Sequence, residues 1–147
     1  MTMKFRCSDV KIVLYDVDGV LTNGDIYIDD SGERYKQFNV KDGVSVALLK
    51  RHGIMSGVIS GKHSDALIER CRQLNFEVVV TGCHNKVQAL HNICEKYNVR
   101  LSQIAFVGDD VIDLAAIQSV GLSFAPRDAH ELIKRRAEVI TQTCGGR

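Results

Sequence analysis

The chain has no tryptophan, a single proline and only 6% aromatic residues among its 147. Its core must therefore be largely aliphatic. With Pro126 alone and no Pro-, Gly- or Ser-rich stretch, there is no linker, internal repeat or low-complexity segment, so residues 1–147 are expected to form one domain. A chain of this length buries roughly 70% of its unfolded surface, enough for a real core. No apolar run approaches the roughly 20 residues a helix needs to cross a bilayer. The stretch Met1-Thr2-Met3-Lys4-Phe5-Arg6-Cys7 lacks the apolar segment of a secretory signal. Neither sign of charge is in excess: 19 Lys and Arg stand against 18 Asp and Glu, for a net charge of +1. That argues against a nucleic-acid or polyanion partner. There is no C-x-x-C pair, and the five cysteines, Cys7, Cys71, Cys83, Cys94 and Cys144, are scattered and odd in number. A disulfide frame and a structural zinc site are both disfavoured, and a reducing, cytoplasmic location is expected.

What is present is organised around Lys11-Ile12-Val13-Leu14-Tyr15-Asp16-Val17-Asp18-Gly19-Val20-Leu21-Thr22. The unbroken run Ile12 to Tyr15 reads as a parallel strand buried on both faces. Asp16 and Asp18 follow at its C-terminal end, where open α/β sheets bind ligands. Two carboxylates two residues apart on extended backbone point the same way and repel. They make sense with a cation between them, or with one attacking while the other handles a proton.

After a turn cluster at Thr22-Asn23-Gly24-Asp25, alternating residues around Asp30-Ser31-Gly32 predict a β-hairpin over about residues 25–38. A lone hairpin is marginal and wants a partner surface; Tyr27, Tyr35 and Phe38 are the expected contacts of a subunit interface. Helix and strand signals then alternate. A helix is expected over Asp42–His52 with Val44, Ala47 and Leu48 on its apolar face, a strand over Ile54–Ser60, and a helix over Asp65–Leu74. A strand over Glu77–Thr81, a helix over Asn85–Tyr97 and a strand over Ile104–Val107 follow. The chain closes with a short helix over Asp110–Ser119, a strand over Gly121–Ala125, a helix capped by Asp128 and running through Arg136, and a short strand at Val139-Ile140. The fold class is α/β, a doubly wound, Rossmann-like parallel sheet with right-handed crossovers, a hairpin insertion and no large cap domain.

Four polar signals fall at the C-terminal ends of four strands: Asp16 with Asp18, Ser60, the Gly82–Lys86 segment, and Gly108-Asp109-Asp110 with Asp113. Each alone is an ordinary helix-start or turn residue; a parallel sheet brings all four to one edge. Together they suit phosphoryl transfer, which needs charge neutralisation and an in-line nucleophile. Asp16 is the candidate nucleophile, forming an aspartyl-phosphate. Asp18 is the candidate acid and base. Asp16, Asp109 and the main-chain carbonyl of Asp18 offer the hard oxygens that Mg²⁺ prefers. Ser60 and Lys86 can hold phosphoryl oxygens. Of Asp110 and Asp113, one can bind water on the metal and the other orient Lys86.

These residues resemble the motif set of the haloacid dehalogenase-like phosphatase superfamily. Asp16, Asp18, Gly19 and Thr22 match its DxDGxxxT, Ser60 its second motif, Lys86 its third, and Gly108 to Asp113 its acidic fourth. From about Lys11 to Arg147, with FNVKDG (38–43) and the Ser-Gly at 60–61, the chain looks like the 3-deoxy-D-manno-octulosonate 8-phosphate phosphatases of lipopolysaccharide precursor synthesis. The resemblance implies a Mg²⁺-dependent phosphomonoesterase and phosphate binding at Ser60, Gly61 and Lys86. It also implies a homotetramer joined through the hairpins, with neighbouring subunits capping each site. Lys62 and Arg70 stand where the family has basic residues near the substrate, Lys62 replacing a usual Arg and losing its bidentate fork. Asn23 replaces a common Asp, and the family's Gly-Gly tail corresponds to Gly145-Gly146. The alternatives are a phosphatase of a sialic-acid-type 9-phosphate, a phospho-accepting signalling domain, and a silent oligomerisation module. The Asp16/Asp18 pair argues against the signalling domain, since a stable phosphoacceptor has no use for a nearby acid/base.

Overall fold

The computed structural model describes residues 7–147, so the stretch read for a leader lies almost wholly outside the described residues. A six-stranded parallel sheet runs in the order β5-β4-β1-β6-β7-β8. Its strands are β1 (Ile12–Tyr15), β4 (Met55–Ile59), β5 (Val78–Val80), β6 (Ile104–Val107), β7 (Leu122–Ala125) and β8 (Val139–Ile140). The chain winds outward from β1 through β4 to β5, then returns to β1's other side for β6, β7 and β8. The switch point thus lies at the C-terminal ends of β1 and β6, where such sheets bind ligands. The register sets Tyr15 beside both Val58 and Val107. Asp16, Ser60 and Asp109, just past these positions, emerge at one edge.

Side chains alternate along β1. Ile12 and Leu14 point to the face covered by α3 (Lys86–Tyr97), α4 (Leu114–Ser119) and the short α5 (Glu131–Lys134). Leu90, Ile93, Phe106, Ala116, Ile117 and Ile133 close that core. On the other face, α2 (Asp65–Leu74) sets Leu67 and Cys71 against Val17, Leu21 and Val58. The expectation that β1 is buried on both faces is therefore half met. Val13 and Tyr15 are half-buried beside an apolar trough of about 470 Å³, lined also by Ala105, Leu122 and Phe124. Beside the trough, Ala105 of β6 and Leu122 of β7 are buried in a small cluster with Val10.

The first helix, α1 (Val40–Arg51), starts two residues before the sequence expectation because Asn39 accepts the Lys41 N–H and caps it. Its expected apolar face is corrected. Val44, Ala47 and Leu48 are exposed and Val46 is the buried residue. Apolar residues ring this helix, so spacing could not say which stripe meets the sheet. The last helix is shorter than expected and is capped by His130, whose Nδ1 accepts the Leu132 N–H. Asp128 instead accepts the N–H of Gly145 in the returning tail.

The hairpin pairs β2 (Tyr27–Asp29) with β3 (Gly32–Tyr35) as a separate sheet, with the Tyr27 and Tyr35 rings stacked 4.6 Å apart. Ile26, Ile28 and Tyr35 are exposed. Phe38, expected on the outer surface, instead packs into the cluster beneath α2. The two faces of α1 and α3 make opposite predictions for urea unfolding. Leu90→Ala, at a fully buried position, should cost about 2–5 kcal/mol, whereas Val44→Ala should stay within about 0.5 kcal/mol. A large loss at Val44 would mean that the exposed stripe of α1 is covered.

Candidate active site

The loop carrying Asp16 and Asp18 begins where β1 ends. The Asp16 N–H donates to the Val107 carbonyl at 2.9 Å, and the N–H groups of Val20, Leu21 and Thr22 all turn back to the Val17 carbonyl. The buried Thr22 hydroxyl oxygen accepts from the Gly19 and Gly24 N–H groups, both at 3.2 Å, and pins the loop from inside. Gly19 is required here. Its φ is +88°, and a Cβ at this position would collide with the Asp109 carboxylate.

Lys86 is the first residue of α3, whose N-cap Asn85 accepts the Gln88 N–H. The ammonium is buried and lies 2.5 Å from Asp16 Oδ1 and 2.6 Å from Asp113 Oδ1. Its Nζ also sits 5.7 Å from the centre of the Phe106 ring. Asp113 is completely buried, and its other oxygen accepts the Asp109 N–H at 3.1 Å. Ser60 ties β4 to the Lys86 segment: its carbonyl accepts the Cys83 N–H, and its N–H donates to Val80. Its buried hydroxyl accepts the Lys62 N–H at 3.2 Å.

Asp16, Asp109 and Asp113 each offer an oxygen, all within 4.8 Å of one another. Three carboxylates against one ammonium leave two negative charges in excess. Burial, partly offset by Lys86 and reinforced by Asp113, pushes the Asp16 carboxyl up to about 6. Burial, then Asp16, Asp113 and Asp110, push Asp109 up to about 8. Burial disfavours the Lys86 ammonium, but the charges of Asp16 and Asp113 outweigh it and raise its pKa. Asp109 Oδ1 is buried without a hydrogen-bond partner among the described residues. An orphaned, desolvated carboxylate oxygen beside a surplus of negative charge fits a hard divalent cation. Both Asp113 oxygens are already engaged, so Asp16 and Asp109 are the better-placed side-chain ligands.

The remaining sequence candidates lie nearer the rim. Asp110 is exposed and accepts the Val111 N–H, capping the turn that carries Asp113. Gly61 and Lys62 are exposed. Arg70 donates to the Asn39 carbonyl at 3.2 Å and covers the Phe38 ring, which ties it to the start of α1. Asp18 is partly exposed, and its Oδ1 lies 2.7 Å from Nζ of Lys36, just past the second hairpin strand. The tail also touches the loop. Gly146 N–H donates to the Val20 carbonyl, and a Cβ on Gly145 would strike the Gly19 carbonyl. Neither contact leaves a local sequence signal, since each joins distant segments.

The profile of haloacid dehalogenase-like hydrolases matches residues 56–144. The 3-deoxy-D-manno-octulosonate 8-phosphate phosphatase of Escherichia coli K12 is 36% identical over 142 residues, covering 97% of this chain and 76% of that protein. The chain belongs to this phosphatase family. Among solved structures, the cobalt-bound phosphatase from Haemophilus influenzae superposes with a TM-score of 0.93 at 35% identity, covering 96% of this chain and 82% of that one. The Moraxella catarrhalis phosphatase, in complex with magnesium ion, phosphate ion and a KDO molecule, superposes with a TM-score of 0.91 at 31% identity. It covers 95% of this chain and 80% of that one.

The crowded carboxylates give this phosphatase family member a pH signature. Asp109 ordinarily titrates at 3.8 and here near 8, so between these values the folded state keeps a proton the unfolded chain has released. Stability in chelator is therefore greatest below the lower value and is lost as pH rises through the upper one. Relative to Asp109→Asn, which cannot ionise, the wild-type melting temperature should fall steadily from about pH 4 to about pH 8, and Mg²⁺ should restore it at the upper end. A pH-independent gap in calorimetry would show that Asp109 is not strained by its neighbours.

Proposed function

We propose that this chain hydrolyses 3-deoxy-D-manno-octulosonate 8-phosphate to the free sugar acid and inorganic phosphate, in the cytoplasm, as a step of lipopolysaccharide precursor synthesis. The observation that carries the reading is the buried Asp16–Lys86–Asp113 set beside the unpartnered Asp109 oxygen. A nucleophile, a fixed cation and a buried carboxylate oxygen free of hydrogen bonds among the described residues, all within one small space, suit a phosphate ester. The named activity of the E. coli relative, and the phosphate and KDO held by the Moraxella protein, support the choice of substrate.

Asp16 attacks phosphorus while the sugar oxygen departs, taking a proton from Asp18. Asp18 then removes a proton from the water that cleaves the aspartyl-phosphate, releasing phosphate and restoring Asp16. Lys86 and Ser60, with Gly61, hold the phosphoryl oxygens, and Asp113 keeps Lys86 aimed at them. Asp16, Asp109 and the main-chain carbonyl of Asp18 would hold Mg²⁺, which supplies charge neutralisation for the phosphate. Asp110, at the exposed rim, supports this acidic edge, and Lys62 and Arg70 are the basic groups assigned to the sugar acid. The hairpins join four copies through Ile26, Ile28 and Tyr35, which are otherwise exposed.

Phosphate release from the 8-phosphate, followed colorimetrically with Mg²⁺, should disappear in chelator. It should fall at least about 10³-fold in Asp16→Asn. A loss of only a few-fold would place the nucleophile elsewhere. Ile28→Asp should shift the assembly toward smaller species in sedimentation velocity, and an unchanged profile would remove the hairpin from the interface.

A further inference from the structure

We propose that Lys36 is a positioning residue for Asp18, and that through it the hairpin sets the acid/base of the reaction. This rests on the phosphatase reading above. The Lys36 side chain is only 6% exposed, and its Nζ lies 2.7 Å from Asp18 Oδ1, whose side chain is 33% exposed. Desolvating an ammonium costs several kcal/mol unless an anion is held close to it. The ion pair is therefore a fixed feature of the fold, unlike a surface pair between two mobile side chains.

The segment that directly follows Lys36 is anchored at three successive residues. Gln37 accepts from the Tyr27 hydroxyl at 3.2 Å, which ties the segment back to β2. Phe38 is packed beneath α2 and covered by the Arg70 guanidinium. Asn39 caps α1, and its side-chain amide donates to the Gly146 carbonyl at 3.3 Å. Lys36 thus stands at the head of an anchored segment. Asp18, by contrast, stands on a turn with a partly open side chain. A carboxyl that must reach first a leaving oxygen and then a water is sensitive to displacements of about 1 Å, which can cost about 10²-fold. The ammonium restrains where its two oxygens sit.

Because Asp18 protonates the leaving group, losing Lys36 should matter in proportion to how much the leaving group needs a proton. Benzyl phosphate and p-nitrophenyl phosphate both lack a carboxylate, so a role for Lys36 in gripping the sugar acid does not enter. Both are compared by kcat/KM, which reports the transfer to Asp16. Lys36→Met should lower kcat/KM on benzyl phosphate roughly 10- to 100-fold and on p-nitrophenyl phosphate less than about 3-fold. Lys36→Arg should recover most of the loss, and Lys36→Met should add no further loss in an Asp18→Asn background. Lys36→Gln replaces Lys36→Met if the latter does not fold, with the same asymmetry expected. Equal losses on both esters, or additive losses with Asp18→Asn, would overturn the proposal. Wild-type turnover of the sugar phosphate tests the phosphatase reading separately.

Discussion

The structure depends on one buried ammonium. Lys86 sits between Asp16 and Asp113, and every other part of the site is arranged to keep those three charges together. Removing ions from water is costly, and attraction in a low-dielectric interior compensates only if geometry is tight. Here geometry is supplied by three separate strand ends: Asp16 follows β1, Lys86 opens the helix after β5, and Asp113 follows β6. The sheet order places these ends side by side at the switch point, so the topology is what makes the cluster feasible. The cluster is also unbalanced. One ammonium does not neutralise three carboxylates; burial first, and then this crowding of like charge, drives Asp16 and Asp109 above the ordinary carboxylate range. This imbalance is the electrostatic form of a site built for a cation and an incoming phosphate.

Around that centre, the loop carrying Asp16 and Asp18 is held from several directions. Thr22 braces it internally, Gly19 lets Asp109 approach its backbone, Lys36 reaches Asp18 from the hairpin, and the Gly145-Gly146 tail lies against it. Asn39 links two of these, capping α1 while its side chain touches the tail. The loop carrying Asp16 and Asp18 is therefore a junction where the hairpin, the first helix and the Gly145-Gly146 segment meet.

The two faces of the sheet are not equivalent. The face under α3 and α4 carries the larger buried cluster, while the other has an apolar trough lined in part by Val13, Ala105, Leu122 and Phe124. The exposed stripe of α1 adjoins this trough through Leu48.

The doubly wound architecture was readable because strands and helices differ in hydrophobic period, and α2 and β6 agree with the sequence residue for residue. The convergence of Asp16, Ser60, Lys86 and Asp109 on one edge was readable too, because a parallel sheet brings all strand C-termini to one side. Local capping also left a signal, as at Ser64 before α2. What the sequence could not decide was which way a ring of apolar residues turns. Val46 rather than Val44 is buried on α1, and Phe38 faces inward, because neighbouring elements rather than spacing choose the buried stripe. Nor could it reveal Lys36 beside Asp18 or Gly145 against Gly19. Those contacts join segments 18 and 126 positions apart, and only the closed chain brings such groups within bonding distance.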